Sequence, residues 1–341
     1  MPVRKPLAHE PAGPSFHIKD HVGRDLLIPS NVEEDSSYFN LDQRDEILRY
    51  YRDNGYVVIR NLVPREQCEA ARLCFDREVK PYKGFIYRQA TANPERHDFT
   101  PHGMMLNPIL NIQSLDKRRF PNFLDAGLAI LTHARTQDAV RTLLGAPGKV
   151  VQSMYFDGNP ATWAHQDTYY LDAEQIGGMT AGWFAVEDIA PGAGRFFICP
   201  TSHRIDMTKN GGDFDVAFHH DRYKELVLDV IRRHGLEFRA PALNQGDVLF
   251  WSSKTIHGSL ETTQPDRARS SFTAHYIPES SRLLQFQARF RGLQVERING
   301  MSVHKPKDLS RLSPRAVFWV ETTFPGAFQT AKKLAIKALT R

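Results

Sequence analysis

The chain has 341 residues, of which 41% are hydrophobic and 24% are charged, a balance typical of globular proteins. Its three cysteines, Cys68, Cys74 and Cys199, form no CxxC pair and are too few for a disulfide framework, which excludes the small disulfide-rich secreted class. No apolar run reaches the ~18 residues that span a bilayer, and residues 1–20 lack a signal-peptide core. We therefore expect a cytoplasmic protein without a transmembrane segment.

The net charge of +5 is concentrated at one end of the chain. Residues 301–341 contain eight basic and two acidic residues, whereas the preceding 300 residues have a net charge of −1. Apolar residues from Phe328 to Leu339 have helical spacing, and Lys333, Lys337 and Arg341 recur on another face. We expect this basic C-terminal helix to pack on the body. The alternatives are a homodimer contact or a peripheral contact with an anionic membrane or acidic substrate. Nucleic acid is not an expected partner, because basic residues confined to one tail are weak support for it.

The first half of the chain predicts an arm followed by helices. Residues 1–40 are rich in proline and charge and show no sustained period, which is typical of an extended arm. The predicted elements that follow are helices over 41–54, 64–79 and 121–144, and a strand over 56–60 after the turn Asn54-Gly55. Residues 80–120 show no period, and long segments of this kind are often lids or binding segments.

The second half predicts a β-rich core. From Val150 to Tyr276 short strands alternate with Gly and Pro turns, as in a sandwich or jelly roll, and one helix over 221–234 interrupts them. We divide the chain into an N-terminal arm (1–40), a main domain (41–281) and a basic C-terminal extension (282–341). The main domain consists of a helical N-terminal part (41–149) and a jelly-roll core (150–281).

The run His165-Gln166-Asp167 predicts a metal site. Side chains alternate along an extended strand, so His165 and Asp167 point to the same side while Gln166 points away. A third ligand must come from a neighbouring strand, and His257 follows the turn and strand Gly246–Trp251. Two imidazoles and one carboxylate form the facial triad of non-haem iron oxygenases, which leaves coordination positions open. We predict that His165, Asp167 and His257 bind iron.

A second His-x-Asp sequence, His219-His220-Asp221, is a decoy. It directly precedes Tyr223, Leu226, Val227, Val230 and Ile231, whose spacing is helical. Asp221 is therefore predicted to be the N-cap of that helix, and the two histidines are not predicted to bind metal.

An ordered set of motifs carries a family resemblance. The segments are Leu48–Ile59 with its Asn-Gly turn, His165-Gln166-Asp167, Ala181–Ile189, and Gly194–His203. From about Leu41 to Pro278 the chain resembles the phytanoyl-CoA dioxygenase family of Fe(II)/2-oxoglutarate-dependent oxygenases. This resemblance implies a mainly β protein with flanking helices and a double-stranded β-helix (jelly-roll, cupin-like) core. Thr201 departs from the pattern, because the family usually has glycine there.

The resemblance also implies a 2-oxoglutarate site with Fe(II) and O2. A guanidinium can bind the distal carboxylate of 2-oxoglutarate through two parallel hydrogen bonds. Arg269 matches the family's Arg-x-Ser pattern and is preferred over Arg267, which is expected to be a solvated charge beside Asp266. Further residues of this pocket are expected to be Trp183, Ser259, Ser271 and Gln152. Tyr169, Tyr170 and Arg195 are candidates for substrate contacts.

The expected reaction is hydroxylation of a C–H bond in a small molecule. In halogenating relatives a small residue replaces the carboxylate and makes room for halide, so retention of Asp167 favours hydroxylation. Desaturation, ring closure or epoxidation remain possible from the same oxidant. Two other classes stay open: a cupin-like metalloenzyme that does not use 2-oxoglutarate, and a catalytically silent jelly-roll binding protein.

Overall fold

The structure, a computed structural model, describes residues 16–35 and 37–339, and side chains of the last helix only as far as Lys332. Its helices are α1 (Arg44–Asn54), α2 (Arg65–Cys74), α3 (Pro121–Leu131), α4 (Ala134–Leu144), α5 (His220–Arg233), α6 (Leu312–Thr323) and α7 (Pro325–Leu339). Its strands are β1 (Phe16–Lys19), β2 (Asp25–Ile28), β3 (Tyr38–Phe39), β4 (Tyr56–Ile59), β5 (Ile86–Tyr87), β6 (Pro94–Glu95), β7 (Ile109–Leu110), β8 (Gly148–Phe156), β9 (Leu171–Ala173), β10 (Thr180–Ala185), β11 (Phe196–Ile198), β12 (Val248–Ser252), β13 (His257–Ser259), β14 (Ser271–Pro278), β15 (Leu283–Gln285), β16 (Arg289–Arg291), β17 (Val295–Ile298) and β18 (Met301–His304).

The largest sheet has the strand order β17-β18-β8-β14-β10-β12-β4-β3, and β7 pairs with β8. Its central pairs are antiparallel, and each has a long sequence separation: β14 lies between β8 and β10, and β12 between β10 and β4. A second layer contains the two-stranded sheet β11-β13 and the three-stranded sheet β16-β15-β9. The predicted jelly-roll class, mainly β with flanking helices, is confirmed.

Alternation along the strands assigns the two faces of the large sheet. Val57 and Phe250 belong to the core shared with helices α1 to α4, whereas Val58 and Trp251 belong to a core that includes Phe196 of the second layer. Both faces are therefore buried, which explains why these strands are almost continuously apolar. We call the face that carries Val58 and Trp251, turned towards the second layer, the inner face. The functional site lies on this face.

The chain segments outside the predicted core also contribute strands. Residues 16–28 form the β1-β2 hairpin, β3 adds to the edge of the large sheet, and β18 pairs in parallel with β8. The predicted extension, residues 282–341, contains strands β15 to β18 followed by helices α6 and α7. The domain boundaries at 41 and 281 stay predictions.

Most predicted helices and strands are observed as such, but one predicted helix is two helices in the structure. The predicted helix over 121–144 consists of α3 and α4, because His133 adopts an extended conformation (φ −57°, ψ 144°) and its side chain accepts a hydrogen bond from the Arg135 N–H. His133 is thus the N-cap of α4. In the part of the chain that the structure describes, the helices are too short or too polar to cross a bilayer.

Candidate active site

Three side chains converge at the inner face of the sheet. His165 and His257 form an antiparallel β-bridge, with reciprocal backbone hydrogen bonds of 2.9 Å. Asp167 lies two residues beyond His165, and its Oδ1 is 3.6 Å from His165 Nε2 and 3.5 Å from His257 Nε2. One ligand atom from each residue lies within 4.8 Å of the others. The predicted residues therefore come together closely enough to bind one metal ion.

Backbone carbonyls fix the orientation of both imidazoles. His165 Nδ1 is 2.9 Å from the Trp163 carbonyl oxygen, and His257 Nδ1 is 2.9 Å from that of Thr255. A carbonyl oxygen can only accept, so each Nδ1 carries the proton and donates it. Nε2 is then the remaining nitrogen of each ring, and both Nε2 atoms face Asp167. Such outer hydrogen bonds are the usual way in which proteins orient metal-binding histidines.

The charge state of the cluster suits a cation. Burial alone would raise the pKa of Asp167, but the imidazoles of His257 and His275 outweigh it and hold the pKa well below its ordinary value. Burial lowers the pKa of His165, and the neighbouring His257 lowers it further. Metal binding requires an ionised carboxylate and a neutral imidazole, and the lowered pKa values of Asp167 and His165 favour these states.

The two oxygens of Asp167 have different partners. Oδ1 faces the two imidazoles, whereas Oδ2 accepts a hydrogen bond of 2.8 Å from the indole Nε1 of Trp251. His275 Nε2 lies 3.4 Å from the same Oδ2. Trp251 and His275 come from β12 and β14, so the large sheet positions the Asp167 carboxylate through the oxygen that faces away from the imidazoles.

The metal motif is not a regular strand, contrary to the prediction. His165 makes a single bridge, Gln166 is extended (φ −111°, ψ 137°), and Asp167 begins a 3-10 turn that ends at Tyr169. Because Gln166 is extended, the predicted alternation still holds across these three residues. The Gln166 side chain points away and donates to the Lys254 carbonyl oxygen at 2.5 Å.

Arg269 is a buried cation without a buried anion. It is 2% exposed, and among the described residues no carboxylate lies within ion-pair distance of it. Its guanidinium donates to the Gly194 carbonyl oxygen at 3.1 Å, while Nε has no partner. Burial, with no opposing anion, lowers the pKa of Arg269 to about 9. An uncompensated buried charge is costly, so the site fits a carboxylate ligand.

One pocket contains both the cluster and Arg269. Trp183 and Ser259, both predicted, line it, and the Arg269 guanidinium carbon is 5.9 Å from the centre of the Trp183 ring. Ser271 and Gln152 do not line it. The Ser271 hydroxyl donates to the Arg269 carbonyl oxygen at 3.2 Å, and Gln152 lies opposite His275 at a half-buried position.

Several pocket residues were not predicted from the sequence. Besides Trp251 and His275, the pocket is lined by Gln89, Met154, Phe156, Thr162, Phe196, Gly258 and Thr273. Alternation along β14 was the available signal for two of them, since Thr273 and His275 continue the face on which Arg269 and Ser271 lie. Gln89 comes from the aperiodic segment 80–120.

Other candidates have structural roles. The Arg195 guanidinium donates to the Ile189 carbonyl oxygen at 3.0 Å, and the Tyr169 hydroxyl donates to that of Gly212 at 3.0 Å, so neither is free to contact substrate. Tyr170 remains near the site, with its ring 6.1 Å from that of His165 and its buried hydroxyl unpartnered. Asp221 is not the N-cap of α5, because that helix begins at His220 and its N-cap is His219.

Comparison with known proteins identifies the family. The phytanoyl-CoA dioxygenase family matches residues 51–270, more than half of the chain. The chain belongs to the phytanoyl-CoA dioxygenase family. Human peroxisomal phytanoyl-CoA dioxygenase is 24% identical over 258 residues, covering 71% of this chain and 69% of the relative. The bovine phytanoyl-CoA dioxygenase domain-containing protein 1 is 25% identical over 271 residues, covering 67% of this chain and 88% of the relative.

Solved structures share the fold of this family member. The non-heme alpha ketoglutarate dependent carbocyclase SnoK from nogalamycin biosynthesis has a TM-score of 0.53 at 18% identity, with coverage of 72% of this chain and 88% of that chain. The epimerase SnoN, solved with Fe3+, alpha ketoglutarate and nogalamycin RO, has a TM-score of 0.51 at 17% identity, with coverage of 72% and 87%. Family membership together with the His-Asp-His cluster makes this protein an Fe(II)- and 2-oxoglutarate-dependent dioxygenase.

Proposed function

We propose that this dioxygenase hydroxylates a C–H bond of a small molecule, such as a biosynthetic, sugar or lipid-precursor substrate. In this proposal His165, Asp167 and His257 are the iron ligands and Arg269 anchors the distal carboxylate of 2-oxoglutarate. The observation that carries the proposal is the presence, in one pocket, of a three-ligand cluster and a buried arginine without a counter-ion.

Iron and 2-oxoglutarate, when bound, convert O2 into an oxidant, with one oxygen atom passing to succinate, the other to the hydroxylated substrate, and CO2 released. The chain's own residues prepare the site for this reaction. The imidazole Nε2 atoms of His165 and His257 and the Asp167 carboxylate supply three donor groups for one metal ion. Asp167 occupies the position that a halide would need, which supports hydroxylation over halogenation.

Arg269 positions the co-substrate through charge and planarity. Its guanidinium carbon lies over the aromatic rings of Phe156 and Trp183, at 5.5 and 5.9 Å from their centres. These rings hold the guanidinium in place and exclude water, which strengthens its attraction for a carboxylate. Ser259 lines the same pocket, but its hydroxyl already donates to the Asn159 side-chain oxygen at 2.9 Å and accepts from the Thr162 N–H.

The pocket lining supports a largely apolar substrate moiety. Phe156, Phe196 and Met154 provide apolar surface, while Gln89 and Thr162 offer polar groups that could orient a ligand. Gln89 belongs to residues 80–120, a long segment without a period of the kind that often forms a lid or a binding segment. This mixture of apolar walls and few polar groups is characteristic of small-molecule sites.

The test is succinate formation from 2-oxoglutarate in the presence of Fe(II) and O2, with 2-oxoglutarate affinity measured separately by calorimetry. We expect Arg269→Ala to weaken 2-oxoglutarate binding about a hundredfold, corresponding to the roughly 3 kcal/mol of a buried charge-assisted pair. Arg267→Ala is the matched control, because that side chain is 64% exposed and 3.8 Å from Asp266. Equal 2-oxoglutarate affinity in both variants would refute the proposal that Arg269 binds the distal carboxylate of 2-oxoglutarate.

We also place this enzyme in the cytoplasm. All three cysteines are free, and Cys68 and Cys199 are buried. Unpaired buried thiols are typical of a reducing compartment. Fractionation of the native host, with succinate formation as the marker, tests this placement; recovery of the activity in a membrane-enclosed organelle or outside the cell would contradict it.

A further inference from the structure

Helix α6 and the residue that follows it, Phe324, present an apolar surface that the rest of the described chain leaves uncovered. Eleven large hydrophobic residues are exposed in the described structure, and five of them lie within residues 312–324. They are Leu312 (75% exposed), Val317 (47%), Trp319 (59%), Val320 (39%) and Phe324 (54%). Scattered apolar side chains on a surface are ordinary, but a cluster of this kind indicates an interaction site.

The exposed residues follow one side of a helix. Leu312, Ala316, Trp319 or Val320, and Phe324 recur at intervals of three and four residues, and the exposed positions Ser313, Val317 and Thr323 between them are uncharged. At the corner between the helices, the rings of Trp319 and Phe324 lie 6.0 Å apart at 83°. We call this surface, Leu312 to Phe324, the apolar face of α6.

The opposite side of α6 is fixed to the body of the protein. The Tyr87 hydroxyl donates to the buried Glu321 carboxylate at 2.6 Å, and the rings of Tyr87 and Phe318 are 5.3 Å apart. On α7, the Gln329 side chain donates to that of Asn93 at 3.3 Å. These contacts determine which side of the helix faces outward, so the exposure of Trp319 is a property of the fold.

Within residues 301–341, the exposed charged side chains are basic. The two acidic residues of 301–341 are Asp308 and Glu321, which are 5% and 2% exposed. The side chains of Lys307 and Arg311 are 50% and 62% exposed, although their charged groups lie 4.0 Å from Glu321 and 3.5 Å from Asp308, and Lys332 is exposed. The segment therefore presents aromatic and aliphatic groups beside exposed cations, and its two anions are buried.

We infer that the apolar face of α6, with the basic residues around it, is a docking surface for an anionic lipid bilayer. Tryptophan and phenylalanine are stabilised at the boundary between headgroups and acyl chains, and nearby lysine and arginine are attracted to anionic headgroups. A second copy of this chain fits less well, because a symmetric contact would bring the exposed cations of both copies together.

Docking on this surface would place the membrane near the segment that leads to the active site. Tyr87, which holds α6, is two residues before Gln89, which lines the pocket. The docking inference does not depend on the proposed hydroxylation, because vesicle binding and succinate formation are measured separately.

The experiment is sedimentation of the full-length protein with vesicles of phosphatidylcholine alone or mixed with phosphatidylglycerol. We expect binding to the mixed vesicles that weakens at high salt, and little binding to phosphatidylcholine. The double variant Trp319→Gln/Phe324→Gln should lose about tenfold or more in partitioning, because two buried aromatic groups are removed. Phe218→Gln is the matched control, since Phe218 is 72% exposed outside this surface.

The charge contribution has its own pair of variants. Lys332→Glu should weaken binding to the mixed vesicles, whereas Lys209→Glu, at a side chain that is 84% exposed, should not. Equal binding to both vesicle types, or none, would overturn the inference. A concentration-dependent dimer that Trp319→Gln/Phe324→Gln dissociates, without vesicle binding, would assign the surface to a second copy instead. Unchanged circular dichroism and 2-oxoglutarate turnover would confirm that each variant is folded.

Discussion

The indole Nε1 of Trp251 donates a 2.8 Å hydrogen bond to Oδ2 of Asp167, the oxygen that faces away from the two imidazoles. This bond leaves Oδ1 directed at the cluster and fixes the carboxylate rotamer. We expect Trp251→Phe, which removes the N–H and retains an aromatic ring, to weaken Fe(II) binding about ten- to a hundredfold. Anaerobic Fe(II) titration measures the effect.

The control for that substitution is Trp319→Phe, because Trp319 is an exposed tryptophan on α6. It should leave the Fe(II) affinity unchanged. If Trp251→Phe binds Fe(II) as tightly as the wild type, the indole does not position Asp167.

His97 should make stability sensitive to pH. Its Nε2 donates to the Val79 carbonyl oxygen at 2.8 Å, so Nδ1 is the atom that accepts from the Arg88 guanidinium at 3.1 Å. Burial, with a smaller effect from Arg88, lowers the pKa of His97 to about 4 from 6.5. The folded state therefore binds fewer protons than the unfolded state between these values. The stability contribution is complete above pH 6.5 and is lost as the pH falls towards 4.

The measurement is the free energy of unfolding as a function of pH for the wild type and His97→Gln. The wild type should lose more stability than the variant on acidification through this window. Parallel curves would show that His97 is not held neutral by the fold.

Thr201 has a backbone conformation that normally favours glycine. It lies at φ 66° and ψ −9°, directly before the turn Ser202–Arg204. A β-branched residue in this conformation is strained by roughly 1 to 2 kcal/mol. Glycine removes the strain, but it also increases the conformational entropy of the unfolded chain, which cancels part of the gain in stability. We expect Thr201→Gly to raise the free energy of unfolding by up to about 1 kcal/mol. Thr208→Gly, in a 3-10 turn without positive φ, should lower it.

Chemical denaturation of the two threonine variants provides the comparison. A lower stability of Thr201→Gly would mean that contacts of the threonine side chain outweigh the backbone strain.

The sequence was sufficient to select those candidate site residues that lie in short motifs. His165 and Asp167 share one segment, and Arg269 precedes a recognisable final strand. The pairing of His165 with His257 could be anticipated because neighbouring strands of a jelly roll are distant in sequence. The His165-Gln166-Asp167 motif predicted that these side chains would come together with His257, and they do, even though Asp167 lies in a turn.

The sequence could not identify the groups that act through tertiary pairing. Trp251 and His275 lie on β12 and β14, and each reaches Asp167 only because both strands flank β10 in the sheet. In the sequence they are ordinary members of apolar strands. The orientation of α6 could not be predicted for the same reason. The spacing of its apolar residues does not show which side faces the body, and the tertiary contact between Tyr87 and Glu321 determines this.

The most direct test of the iron site is the Fe(II) stoichiometry of the wild type, His257→Ala and His219→Ala under anaerobic conditions. His219 belongs to the decoy sequence at the start of α5 and serves as the matched control. We predict one tightly bound Fe(II) per chain for the wild type and His219→Ala, and loss of that binding in His257→Ala. Retention of wild-type affinity in His257→Ala would contradict the proposed iron centre.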